Sequence, residues 1–526
     1  MYPFFGWIVA LLWLLSGCAT APVTPLGDDE MVGRPAAAPQ TSDAPPPRPG
    51  AMWYHLHADG DRLNVNIRLL DPPSTSTFFL PGPWADRDDF DERITVDAAH
   101  GPDTHTPLPM TVGDDGRIDV ESDGLEFVEL TYHVDLVDGP DPDRRFLSWG
   151  DHNQFFAYAP AILVLPSAGI AEQIRDIPIE VHTPTDWTVA ATWPLAHDEP
   201  AQHPDRRVSG FVADDIHSLR DAYIGAGDHW NQHTHRSDHG TLRFTTTADF
   251  QFDDKRMLQA IARICDHYLQ RFGAYDEISA IALPNDAVDD SSLDGTGRKG
   301  GFVIEVPIDQ PLDDELLVLS AHEAFHMWNG HRLVPAPAAR EDTLWFKEGL
   351  THYVALKTLG RLDLIDTSTI RDELARAAWY YAENPIIAGG QIRAIDKTRL
   401  PYDRGLLIAL ALDMALLEHT GGEKTVEHWV RSMLSDAFAD EAAAYDPLFL
   451  EETFRAFTRD WGTAPARRYD ELVNRNKTID AEVLFEQLGL HLIDADGDEA
   501  PRLLPIEDRT RPFESLFHPP HDHDLE

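Results

Sequence analysis

Basic residues and cysteine are what this chain has least of. Its 526 residues carry 43 Lys and Arg against 90 Asp and Glu, a formal net charge of -47. No basic face can then neutralise a run of phosphates, so nucleic acid is excluded as a natural partner, and the balance argues against an anionic lipid surface held through basic patches. The two cysteines are Cys18 and Cys265. Cys265 falls in an amphipathic helical run, 257–269, and is expected to be a buried core residue. No internal disulfide is expected in the mature chain, which must rest on packing. After the first residues no second long apolar run occurs, and there is no internal repeat. A hydrophobic content of 43% is nevertheless ample for real cores, and the length suits two or three domains.

The ends differ from the middle. Met1 to Ala19 is an apolar run too short to span a bilayer comfortably and ends in small residues, which is the pattern of a secretory signal. Leu15-Ser16-Gly17-Cys18 resembles the lipobox of bacterial lipoproteins, with Cys18 as the lipidated first residue of the mature chain and 1–18 as the signal peptide. The implied address is the periplasmic side of a bacterial envelope, held through an N-terminal lipid, and Ala19 resembles an outer-membrane rather than an inner-membrane sorting signal. Residues 19–50, rich in Pro and Ala, read as a disordered tether. From 51 to 245 short alternating runs such as 63–69, 127–134 and 177–182 predict β-strands in a sandwich-like domain. From 246 to 490 helical periodicity dominates, with helices expected at 254–272, 343–359, 367–383, 403–419, 423–435 and 447–461 and strands at 278–284 and 301–307. Residues 491–526 are a Pro- and Asp-rich tail, where His521 and His523 are expected to be solvated. The fold class is therefore α+β and multidomain.

The chemistry concentrates in His322-Glu323-Ala324-Phe325-His326, an H-E-x-x-H pattern. On a helix His322 and His326 stand one turn apart on one face, so both imidazoles reach one metal ion while Glu323 faces the open coordination position. Acidic residues at 313–315 and Asn329-Gly330 mark the two ends of that helix. A catalytic zinc takes three protein ligands and leaves a fourth position open. The helical run 343–353 supplies a carboxylate, and Glu348 is assigned as the third ligand. His331 and His352 flank the two segments and are expected to be rim or packing residues, since a fourth protein ligand would close the site.

Two longer stretches, His322-Glu-Ala-Phe-His-Met-Trp-Asn-Gly-His-Arg-Leu333 and Leu344-Trp-Phe-Lys-Glu-Gly-Leu-Thr-His-Tyr353, carry a wider resemblance. With fainter echoes at Phe79-Leu-Pro-Gly82, Trp187 to Trp193 and Tyr402-Asp-Arg-Gly405, the chain resembles the glycyl aminopeptidase family of gluzincin metallopeptidases, relatives of aminopeptidase N and leukotriene A4 hydrolase, over about 55–490. The 21 residues between His326 and Glu348 fit that branch. The resemblance implies a thermolysin-like, mainly α-helical catalytic domain that binds Zn2+ and hydrolyses a peptide or protein substrate. Glu323 would be the general base and Tyr402 the donor to the tetrahedral oxyanion. It also implies a Gly-rich segment along the cleft, here Asp294-Gly-Thr-Gly-Arg-Lys-Gly-Gly301, with Gly300 and Gly301 as substrate-binding candidates. That segment lacks the glutamate with which aminopeptidases of this clan hold the substrate amine, and the residues after 490 are too few for the PDZ domain common in the family. The expectation is a zinc metallopeptidase. The alternatives are a strict aminopeptidase and a non-catalytic envelope scaffold, and the oligomeric state stays open.

Overall fold

The computed structural model describes residues 48–49, 51–493 and 501–517, apart from 86, 104–105, 140–145, 201–204, 274, 286–292, 384–399, 437–442 and 507–510. Cys18, the tether and the His521 and His523 pair lie outside the described residues.

The longest strands of the N-terminal half have side chains that alternate between buried and half-exposed. Met52–Asp59, Arg62–Leu70, Phe127–Asp135 and Ile177–Pro184 all show this period of two, the mark of a sheet with one face on a core. They form the middle of a seven-stranded sheet. In spatial order it runs Leu195–Pro200, Arg206–Ala213, Ile177–Pro184, Met52–Asp59, Arg62–Leu70, Phe127–Asp135, Ile94–His100, with only the Ile177–Pro184 and Met52–Asp59 pair parallel. Two four-stranded sheets share its core, which is dense in aromatics: Trp84, Phe146, Phe156 and Tyr158 pack ring on ring. Buried hydroxyls are answered, with Tyr54 donating to Val164 O at 2.8 Å and Tyr132 to Ile162 O at 3.1 Å.

The second half begins with a five-stranded sheet in the order Asn231–Arg236, Thr241–Thr246, Glu277–Pro284, Gly301–Val306, Asp294–Arg298. The inner pairs are parallel and both edges antiparallel. This sheet starts earlier in the chain than residue 246, where helical periodicity sets in. Its first two strands are short and β-like, so composition groups them with the preceding domain, while Leu242 and Phe244 are buried in the core of the helical half. Helices Asp254–Phe272 and Asp314–Phe325 lie against it, each opened by an aspartate that accepts a backbone N–H, Asp253 from Arg256 and Asp313 from Leu316. Further helices follow at Thr351–Arg361, Thr367–Glu383, Leu400–Thr420, Val426–Asp436 and Pro447–Phe457.

The stretch expected as a tail contributes structure. A hairpin of Leu490–Ile493 with Arg502–Pro505 and a helix Arg511–Phe517 pack on the helical half, where Leu503, Phe513, Leu516 and Phe517 are buried. Their few apolar side chains are spaced among Pro and Asp, so composition hid them. Among the described residues no helix is long and apolar enough to cross a membrane.

Candidate metal centre

The helix Asp314–Phe325 is buried from Leu316 to Phe325, so it is encased rather than laid on a surface. An encased polar side chain needs a partner. His322 and His326 are 4% and 1% exposed, and their Nε2 atoms face each other at 3.0 Å. The Nδ1 of His326 donates to the Asn329 carbonyl at 2.9 Å, which leaves its Nε2 lone pair pointing at His322. Burial pulls His322 down to about 3, against the opposing pull of Glu348, so its ring is neutral and able to ligate a metal.

Glu348 completes the group from the next segment. The helix expected over 343–359 is present but interrupted: Arg340–Leu344 is α-helical, Trp345–Leu350 widens into a π-helical turn, and Thr351–Arg361 returns to α. Such widened turns occur often at functional sites because they re-aim one side chain. Here Oε2 of Glu348 lies 3.2 Å from Nε2 of His326 and 3.5 Å from that of His322. Its other oxygen faces Lys347 Nζ at 3.1 Å. Burial works against ionising Glu348, yet Lys347 and the two histidines hold its carboxyl well below the usual range. A carboxylate oxygen of Glu323, itself wholly buried, lies within 4.8 Å of both imidazoles.

Two close backbone approaches assemble the rest. Gly349, after Glu348, crosses Gly405 of Leu400–Thr420 so tightly that a Cβ on Gly349 would lie 2.3 Å from Gly405 Cα. That crossing carries Tyr402 to the centre, where its ring stacks on His322 with centroids 5.9 Å apart. On the opposite side the glycine-rich segment is an edge strand, Asp294–Arg298, antiparallel to Gly301–Val306. A Cβ on Gly295 would lie 2.5 Å from Glu323 Cγ, and one on Gly297 the same distance from His326 Cβ. The glycines against the centre are therefore Gly295 and Gly297. Of the pair singled out from sequence, Gly300 lies in the turn beyond, with φ +80° and against Thr192, and Gly301 opens the next strand, against Ser279. Glycines demanded by a turn and glycines demanded by close packing look alike in sequence.

Sequence reasoning missed the residue that joins the two ligand segments. Asn329, wholly buried, donates from Nδ2 to Phe346 O at 2.8 Å and Thr351 Oγ1 at 3.1 Å, while its carbonyl holds His326. In sequence it looked only like a helix stop. His331 and His352 are supports, as expected. His331 bridges Asp221 of the N-terminal half and the Gly297 carbonyl, and His352 reaches Glu373 at 3.3 Å. Arg298 ties the same edge strand down, its guanidinium 4.8 Å from the Trp84 ring and 5.2 Å from that of Tyr158.

The donor set fits zinc. Three atoms each about 2 Å from one ion lie about 3.3 Å apart in tetrahedral geometry, and the three separations here are 3.0, 3.2 and 3.5 Å. Two imidazole nitrogens and a carboxylate oxygen converge on one point, an arrangement that suits a divalent cation. Helix-borne histidines with a glutamate from the following segment define the class of zinc metallopeptidases. Comparison narrows this: residues 315–398 match the family model of the M61 glycyl aminopeptidases, so the chain is a peptidase related to that family. Among solved structures it is similar to an aminopeptidase N family protein from Idiomarina loihiensis, at 17% identity and TM-score 0.66, covering 84% of this chain and 79% of that one. It is also similar to an M1 zinc metallopeptidase from Deinococcus radiodurans, at 14% identity and TM-score 0.53, covering 80% and 93%. That enzyme has also been solved, as a mutant, with a Tyr-Ser-Ala substrate bound, at 14% identity and TM-score 0.52, covering 80% and 93%. No curated protein matches by sequence.

Proposed function

We propose that this protein hydrolyses peptide bonds, with His322, His326 and Glu348 holding zinc and Glu323 acting as general base. The observation that carries the proposal is the convergence of the three donor atoms at 3.0 to 3.5 Å beside the carboxylate of Glu323. When bound, zinc supplies a Lewis acid that polarises the scissile carbonyl and lowers the pKa of water. Glu323 takes the water proton and returns it to the leaving amine. Tyr402 donates its hydroxyl to the developing oxyanion, a contact worth about 3 kcal/mol of barrier. The edge strand Asp294–Arg298, packed on Glu323, offers backbone groups to an extended peptide as a further strand.

A second reading, a strict aminopeptidase, draws support from the description of the matching family and from the aminopeptidase N family neighbour. Against it stands the segment 285–301, which holds no glutamate for a substrate amine. Location belongs to the proposal too: the leader ending at Cys18 supports a lipid-anchored periplasmic enzyme.

The test is hydrolysis of matched free and N-acetylated peptides by the chain lacking residues 1 to 18, with metal content measured alongside. Glu323→Gln keeps zinc and loses about 10² to 10⁴ in kcat. Cleavage of both peptide types supports an endopeptidase, and cleavage of free peptides alone establishes the second reading. Zinc bound without turnover on any peptide sinks the proposal in favour of a scaffold.

A further inference from the structure

The parallel pairing of Met52–Asp59 with Ile177–Pro184 sets Glu180 opposite His55 and His182 opposite His57. The residues between them, Leu56, Ile179 and Val181, are buried in the core. By the alternation of a strand, His55, His57, Glu180 and His182 therefore share the outer, half-exposed face of the seven-stranded sheet. Three imidazoles beside one carboxylate is an odd composition for a solvated face of a chain so rich in Asp.

Their geometry is that of a ligand set. Glu180 Oε2 lies 3.1 Å from His55 Nδ1 and 3.4 Å from His182 Nε2, and one donor atom from each of the three residues lies within 4.8 Å of the others. The hydrogen bond from His55 accounts for one of these approaches. His182 Nε2 is shielded from solvent and faces the same oxygen at the longer of the two distances. His57 stacks on His182 with ring centroids 4.2 Å apart and planes 23° from parallel, which holds the His182 ring in place. Donors about 2 Å from a common ion lie about 3.3 Å apart, and the two measured separations bracket that value.

We infer that His55, Glu180 and His182 form a second metal site, on the outer face of the N-terminal sheet, for a borderline divalent ion such as Zn2+ or Ni2+. Imidazole and carboxylate donors select such ions over Ca2+ and Mg2+, which take all-oxygen shells. The side chains are 26%, 36% and 20% exposed, so water completes the coordination and binding is weaker than at the buried centre. The site lies on a different sheet from the H-E-x-x-H helix, and its ion is structural or regulatory rather than part of peptide hydrolysis.

The test strips the purified protein of metal, dialyses it against micromolar Zn2+ and counts ions per chain. Wild type is expected to hold two. His182→Ala and, separately, the milder Glu180→Gln are expected to hold one and to keep the melting temperature of the metal-free protein, while His326→Ala also holds one. Adding both changes together, His182→Ala with His326→Ala, leaves none. A single ion in wild type that His326→Ala loses and His182→Ala keeps overturns the inference. So does retention of both ions by folded His182→Ala and Glu180→Gln, which would put the second ion elsewhere, for example at His521 and His523. Because ions are counted rather than turnover, failure of the peptidase reading leaves this result legible.

Discussion

The helical stretch from Trp345 to Arg361 contributes to two clusters of buried charge, and they are built in opposite ways. In one, Lys357 reaches Asp413 at 2.6 Å and Glu427 at 3.0 Å, and Arg361 reaches both oxygens of Glu427 at 2.6 Å. Tyr353 and the Val426 amide donate to the remaining lone pairs of Asp413. Burial opposes ionisation of Glu427, but Arg361, Lys357 and Arg271 hold its carboxyl well below the ordinary range. In the other cluster His322, His326 and Glu348 bring three donor atoms within 3.5 Å of one another. A network closed by its own cations is framework. One whose donors converge is completed from solution.

The comparison can be broken at several places, the largest effect first. His326→Ala should abolish metal binding at the centre and peptide hydrolysis together, while the metal-free melting temperature stays close to that of metal-free wild type. Absorbance, metal analysis and a thermal melt suffice. Lys357→Met should do the reverse. It takes the cation from buried Asp413 and one of the cations from Glu427, costing about 3 to 5 kcal/mol in denaturant unfolding, yet leaves the zinc content of the folded fraction unchanged. A stable Lys357→Met protein would mean that the network is not the framework proposed.

Gly405→Ala tests whether the crossing that brings Tyr402 to the centre is as tight as it looks, since the new Cβ would sit 2.5 Å from the Trp345 carbonyl oxygen. Overpacking of this kind costs about 1 to 3 kcal/mol, and kcat should fall further than zinc occupancy does. The smallest effect concerns Glu315, in the first turn of the H-E-x-x-H helix. Burial and then the neighbouring Asp313 raise it to about 7, outweighing the helix dipole. A raised carboxyl binds its proton more tightly folded than unfolded, so stability is lost as pH climbs from about 4.5 through 7. Glu315→Gln should therefore raise the melting temperature slightly at pH 8 and leave it unchanged at pH 4.

Much of the centre was legible because a helix converts spacing into position. His322, Glu323 and His326 needed only their offsets, and Glu348 only a following helical run with one acidic residue. What escaped were contacts between segments distant in sequence. Asn329 reads as a helix stop, and its joining of the two ligand segments exists only once Phe346 and Thr351 are beside it. The glycine-rich segment gives no strand signal in sequence, because a strand of Asp, Gly, Thr and Arg has no hydrophobic alternation. It becomes a strand by pairing with Gly301–Val306 and packing on the helix. Likewise Lys357 lies 56 residues before Asp413 and 70 before Glu427, and gives no local signal of pairing with either.

By itself the sequence determined the donor types, their one-turn spacing, the alternation of the N-terminal strands and the excess of acid, since each of these depends on neighbours within a few residues. The tertiary structure alone decided which glycines touch the centre, that Tyr402 stacks on His322, and that two strands set Glu180 and His182 beside His55. Those are distances across chain crossings, and a crossing is settled by packing.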